Sequence, residues 1–123
     1  MILSRLTAWC VAAMLATTAA AADMRLAMFE EDWCVYCEQW NAEIGGVYDK
    51  TTEGKQAPLL RIDIHGPRPE GLALKTGVNF TPTFILIRDG EELARLEGYP
   101  GEDFFWALLN QMLQRANSPV TGG

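Results

Sequence analysis

Cys34 and Cys37 stand at a seam in the hydrophobic pattern of this chain, and that seam limits the possible architectures more than any other feature. Ahead of it, MRLAMF (Met24 to Phe29) is an apolar run of strand length that ends in the acids Glu30, Glu31 and Asp32. Behind it, Cys37, Trp40, Ile44 and Val47 recur at three- and four-residue spacing, the period of a helix. The pair therefore sits where a strand hands over to a helix. Gly45-Gly46 weakens that helix by about 1 kcal/mol per glycine relative to Ala, which predicts a kink or an early end near Lys50. TTEGKQ (51–56) reads as turn and PLLRIDI (58–64) as a second strand, so that two strands flank one helix in a parallel βαβ unit.

Further along, Glu70 to Thr76 can hold a short helix closed by Gly77. Thr83 to Arg88 reads as a strand, Asp89-Gly90 as a two-residue hairpin and Glu92 to Glu97 as the return strand. Phe105, Leu108, Leu109 and Met112 mark one face of a last helix starting near Glu102. The expected order is β-α-β-α-β-β-α, an α/β fold with a four-stranded mixed sheet and helices on both faces.

The ends carry a different signal. Residues 1–22 combine one positive charge, Arg5, with an apolar run from Leu6 to Leu15 and a small-residue tract ending at Ala22. This is the three-part pattern of a cleavable secretory signal with its cut before Asp23, and it is too short an apolar run to cross about 30 Å of hydrocarbon. Cys10 follows Trp9 inside this segment and is expected to leave with it. One domain, 23–115, and a loose tail, 116–123, remain. The formal net charge is −6, and losing Arg5 makes the product more acidic still. With no Lys/Arg cluster, nucleic acid and anionic membrane surfaces are excluded as partners, and no stable membrane insertion is expected. Export places the thiols in an oxidising compartment, where a dithiol persists only if something supplies electrons.

Residues three apart on a helix have Cα atoms about 5 Å apart, within the roughly 4.4–6.8 Å that a disulfide accepts. Cys34 and Cys37 can thus open and close with little backbone movement. At a helix start, free N–H groups stabilise a thiolate, which suits Cys34 to attack; Cys37, one turn inside, is suited to resolve. Three other readings stand beside this one. A structural bridge would close a very short loop, where crosslinks stabilise least. Zinc needs four ligands, and beyond the pair there is only His65, so no metal is expected. Haem attachment needs His after Cys37, where this chain has Glu38. Thr81-Pro82-Thr83 leads into a strand; taken alone it is an edge proline, but beside the pair a cis Thr81-Pro82 bond would leave a backbone edge to which a substrate chain could add.

Taken together, WCVYC (33–37), KTGVNFTPTFILIRDG (75–90) and Gly98 ahead of the last helix resemble the thioredoxin-fold thiol-disulfide oxidoreductases. More narrowly, RIDIHGP (61–67) and EGYPGEDFFWALL (97–109) resemble the SoxS-type periplasmic thioredoxins of sulfur-oxidising bacteria. The resemblance maps the family's two thiols onto Cys34 and Cys37 and its cis-proline onto Pro82. It implies a periplasmic reductase with no cofactor beyond the redox-active disulfide. Its substrates would be protein disulfides or thiols, among them the thiol of a sulfur-carrier protein, and a membrane thiol donor would supply electrons. An oxidase or isomerase on the same fold, and a non-catalytic binding module, are the alternatives.

The chain departs from ordinary thioredoxins in three respects. Val35-Tyr36 stands between the cysteines where they have Gly-Pro. An N-terminal strand and helix are lacking, and Met28 replaces their buried acid. Proton transfer at Cys37 would then fall to Glu30, another acid such as Glu31, or water. Trp33, Val35, Tyr36, Thr81 and Pro82 are the expected substrate-binding residues. Trp33 reads equally as core. Tyr36 offers an apolar face to partners, Trp40, Phe104, Phe105 and Trp106 fit the core or its margin, and His65 reads as a solvated loop residue.

Overall fold

A computed structural model of the chain describes residues 23–118; the expected signal segment and residues 119–123 lie outside them. Four strands form one mixed sheet: β1 (Met24–Glu30), β2 (Leu59–Asp63), β3 (Thr83–Arg88) and β4 (Glu91–Glu97). Their order is β2-β1-β3-β4. β1 runs parallel to β2 and antiparallel to β3, which pairs antiparallel with β4. The middles of the two central strands, Leu26–Phe29 and Phe84–Ile87, are apolar without interruption because both of their faces are covered. Leu26, Met28, Phe84 and Leu86 point into one cluster and Ala27, Phe29, Ile85 and Ile87 into the other.

The first cluster is where the helices pack. Helix α1 (Val35–Trp40) buries Cys37 and Trp40, and α3 (Glu102–Asn117) buries Phe105, Leu109, Met112 and Leu113. Trp40 lies 5.5 Å from the Phe84 ring and 5.9 Å from the Phe105 ring, so one indole joins both helices to the sheet. After Trp40 the backbone widens into a π-helical turn (Asn41–Gly45), where the two glycines had predicted a kink, and then tightens into a 3₁₀ turn (Tyr48–Lys50). The wide turn holds back the helical phase by a residue. Val47, expected inside, is exposed, and Tyr48 is fully buried in its place, donating from its hydroxyl to the Ala57 carbonyl at 2.6 Å.

Three expectations are corrected. The stretch 51–56 is not plain turn: Thr52–Gln56 forms α2, capped by the Thr51 hydroxyl, which accepts from the Gly54 N–H at 3.0 Å. Glu70 to Thr76 is not helical. Gly71 takes a left-handed φ of 77°, and Leu72 and Leu74, two residues apart, both pack on the second cluster, which is strand-like spacing. Ala73 bridges the start of β4, accepting from the Glu92 N–H and donating to the Gly90 carbonyl. This extended segment, rather than a helix, covers the second face of the sheet, while the thioredoxin-like α/β class and the four-stranded mixed sheet stand. Finally, α3 continues through Asn117, because Ala116 still packs on the core and its carbonyl accepts from Arg88.

The hairpin forms at Asp89-Gly90 with φ of 50° and 85°, the positive values that a two-residue hairpin turn requires. Gly90 is also a close-approach site, since any Cβ there would meet the Gly71 carbonyl. Among the described residues no helix is long and apolar enough to cross a membrane.

Candidate active site

β1 delivers the chain to the edge of the first cluster, and a turn at Asp32 and Trp33 redirects it into α1. Trp33 adopts a left-handed φ of 64°, which sets Cys34 at the N-cap of α1 with an extended backbone. Cys34 and Cys37 are joined as a disulfide with Cα atoms 5.2 Å apart. The Cys34 Sγ accepts the backbone N–H of Cys37 at 3.1 Å, while the Cys34 carbonyl receives the N–H of Glu38. One sulfur thus takes the place of a helix-capping oxygen. Cys34 is 9 % exposed and Cys37 3 %, so the outer sulfur is the one that solvent reaches more easily.

Around the pair the surface is apolar and open. Trp33 is 94 % exposed and therefore not core; Val35, Tyr36 and Phe80 are exposed with it. Phe80 was missed from the sequence, though an aromatic directly before Thr81-Pro82 was the available signal. Phe104, expected at the core margin, is exposed because α3 turns Phe105 inward instead. Trp106 stacks on Tyr48 with ring planes 8° apart.

Thr81-Pro82 is a cis peptide bond directly ahead of β3. The Pro82 carbonyl accepts the Gly98 N–H at 2.7 Å, and the Thr83 hydroxyl donates to the Phe80 carbonyl at 2.6 Å. Among the described residues, no hydrogen bond engages the N–H or the carbonyl of Thr81 itself. Beyond Gly98, Tyr99 is buried and its hydroxyl donates to Glu43 on the π turn at 2.6 Å, tying the β4–α3 loop to the cysteine helix. Burial first, and then the bond to Glu43, pushes the Tyr99 phenol above its usual range. The same bond, helped by Gln39, holds Glu43 below the usual carboxylate range.

The position taken by a buried acid in ordinary thioredoxins holds the Met28 side chain, in the same cluster as Cys37. Arg61, opposite Met28 across the β1–β2 ladder, lies along it. Its guanidinium donates to Glu30 and Asn41, at 2.7 Å each, and sits 5.6 Å from the centre of the Trp40 ring. Glu31 accepts from the Thr81 hydroxyl at 2.6 Å through one oxygen and meets His65 Nε2 at 2.6 Å through the other. The Thr81 bond, then the His65 bond, holds Glu31 below the usual carboxylate range. Glu30 is thus paired with Arg61 and Glu31 with Thr81 and His65, and His65 is a largely solvated loop residue, its side chain 75 % exposed, that also meets Glu31.

The thioredoxin-like domain family matches residues 11–113 of this chain. The crystal structure of the periplasmic thioredoxin SoxS from Paracoccus pantotrophus, in its reduced form, superposes with a TM-score of 0.75 at 49% identity, covering 76% of this chain and 99% of that one. A disulfide bond formation protein from Brevibacillus choshinensis is 30% identical over 115 residues, 94% of this chain and 87% of its own length. A thioredoxin from Chlamydia muridarum is 29% identical over 92 residues, 74% of this chain and 84% of its own length. The helix-capping disulfide, the cis-proline at the head of β3 and a family match over most of the chain converge: the chain belongs to the thioredoxin-like family and is a thiol-disulfide oxidoreductase carrying a Cys34–Cys37 disulfide.

Proposed function

We propose that this protein is a periplasmic reductase that restores the thiol of a sulfur-carrier protein, using no cofactor beyond its two thiols. The observation that carries the reading is the 49% identity to a periplasmic thioredoxin SoxS over 99% of that protein's chain. In the reducing half-cycle the Cys34 thiolate attacks one sulfur of the target disulfide, and the other sulfur leaves as a thiolate that takes up a proton. The Cys37 thiolate then attacks Cys34 Sγ, the mixed disulfide breaks, and the target's second thiol departs. Two electrons have passed to the target, and the protein is left as the Cys34–Cys37 disulfide. A membrane thiol donor returns the electron pair. Trp33, Val35, Tyr36 and Phe80 supply the apolar surface for docking, and the open backbone of Thr81 ahead of Pro82 offers strand-like pairing to the bound segment.

Trapping tests this. Cys37→Ser removes the intramolecular exit, so the mixed disulfide at Cys34 becomes long-lived, whereas Cys34→Ser forms none. Purification of Cys37→Ser under acid quench, followed by reductive release and mass spectrometry, is expected to recover a sulfur-carrier subunit. Recovery of unrelated thiol proteins alone would remove that substrate. The similarity to a disulfide bond formation protein favours a second reading, in which the pair donates its disulfide to targets. The reduction potential separates the two.

A further inference from the structure

Glu31 is unusual among the residues near the disulfide in joining three chain segments that sequence separates widely. It follows the last residue of β1 and precedes the turn that carries Trp33 and Cys34. One of its oxygens accepts from Thr81, fifty positions on, and the other meets His65, thirty-four positions on. The residues flanking Thr81 are fixed through their backbones: Phe80 by the Thr83 hydroxyl and Pro82 by the Gly98 N–H. The N–H of Thr81 shares the planar peptide unit of the Phe80 carbonyl and is oriented with it, while among the described residues the bond to Glu31 is the hydrogen bond made by the Thr81 side chain. Its unpaired N–H and carbonyl are the groups a docking chain would meet. The Thr81 side chain, and with it the spacing between the cis-proline loop and the cysteine turn, therefore depends on a carboxylate that belongs to that turn.

We propose that Glu31 is a positioning residue for substrate docking: by holding the Thr81 side chain it sets the backbone edge ahead of Pro82 in register with the Cys34 sulfur, while His65 holds the carboxylate itself. The proposal rests on the oxidoreductase reading above. It distinguishes targets that present a peptide backbone from disulfides that have none. Loss of Glu31 should weaken the first kind of reaction and spare the thiol chemistry common to both.

The test compares kcat/KM for a disulfide-linked peptide with that for hydroxyethyl disulfide, with dithiothreitol supplying two electrons and two protons per turnover. Glu31→Ala is expected to lower the peptide-to-small-disulfide ratio about tenfold, the scale of one lost charge-assisted hydrogen bond. Glu31→Gln, whose amide oxygen still accepts from Thr81, should restore most of it. Thr81→Val should match Glu31→Ala, and the double variant should be no worse than either alone, because both cut the same bond. The proposal is overturned if the ratio holds in Glu31→Ala, if both rates fall together with a change in reduction potential, or if the Glu31 and Thr81 effects multiply. A wild type inactive on both disulfides would overturn the oxidoreductase reading and this proposal with it. A wild type active on both, with an unchanged ratio in Glu31→Ala, would overturn this proposal alone.

Discussion

A single backbone N–H distinguishes the two sulfurs. In the disulfide it is donated by Cys37 to Cys34 Sγ, and the same group is expected to stabilise a Cys34 thiolate on reduction. Cys34 should accordingly alkylate first when the reduced protein meets limiting reagent near neutral pH. Peptide mapping gives the order, and preferential labelling of Cys37 would reverse the roles assigned here. The pair and the proline were legible in the sequence because two-residue spacing at a strand–helix seam is a local signal. Glu31 was legible only as a nearby acid. Its partners Thr81 and His65 lie far along the chain, and no periodicity connects positions that meet only through the sheet.

Among the elements, the cysteine helix shows most clearly where pattern reading runs out. Spacing placed Cys37, Trp40 and Ile44 on the buried face, and they are buried. The π turn then shifts the phase, so Tyr48 and not Val47 faces inward, and a wide turn leaves no mark in the hydrophobic pattern. Urea denaturation can check this register. Val47→Ser should change stability by no more than about 0.5 kcal/mol. Tyr48→Phe should cost about 1–2 kcal/mol, because it removes the donor to a buried Ala57 carbonyl. A large loss from Val47→Ser would contradict the phase shift. The segment 70–76 failed as a helix for a related reason: Leu72 and Leu74 are spaced for an extended chain, and the anchors of the segment come from β4. There Arg95 donates to the carbonyls of Thr76 and Gly77 and pairs with the buried Glu92, which accepts from Lys75.

For the molecule as a whole, that same cluster gives acid sensitivity. The Arg95 hydrogen bond, with lesser help from Lys75, holds Glu92 below the usual carboxylate range. A carboxylate with a lowered folded-state pKa contributes stability that is complete above its unfolded value, about 4.3 for Glu, and is lost as pH falls through the folded value. Stability should thus decline with acid below that point, and Glu92→Gln should flatten the decline while lowering stability at neutral pH. An unchanged acid slope in the variant would show that other carboxylates carry the effect. The fold, the family and the disulfide leave the direction of electron flow as the central claim. It is tested most directly by equilibrating the protein in dithiothreitol and glutathione buffers and measuring its reduction potential. A reductase should lie near thioredoxin at about −270 mV, whereas a value near the about −120 mV of a strong oxidant would contradict the account and assign the pair to disulfide donation.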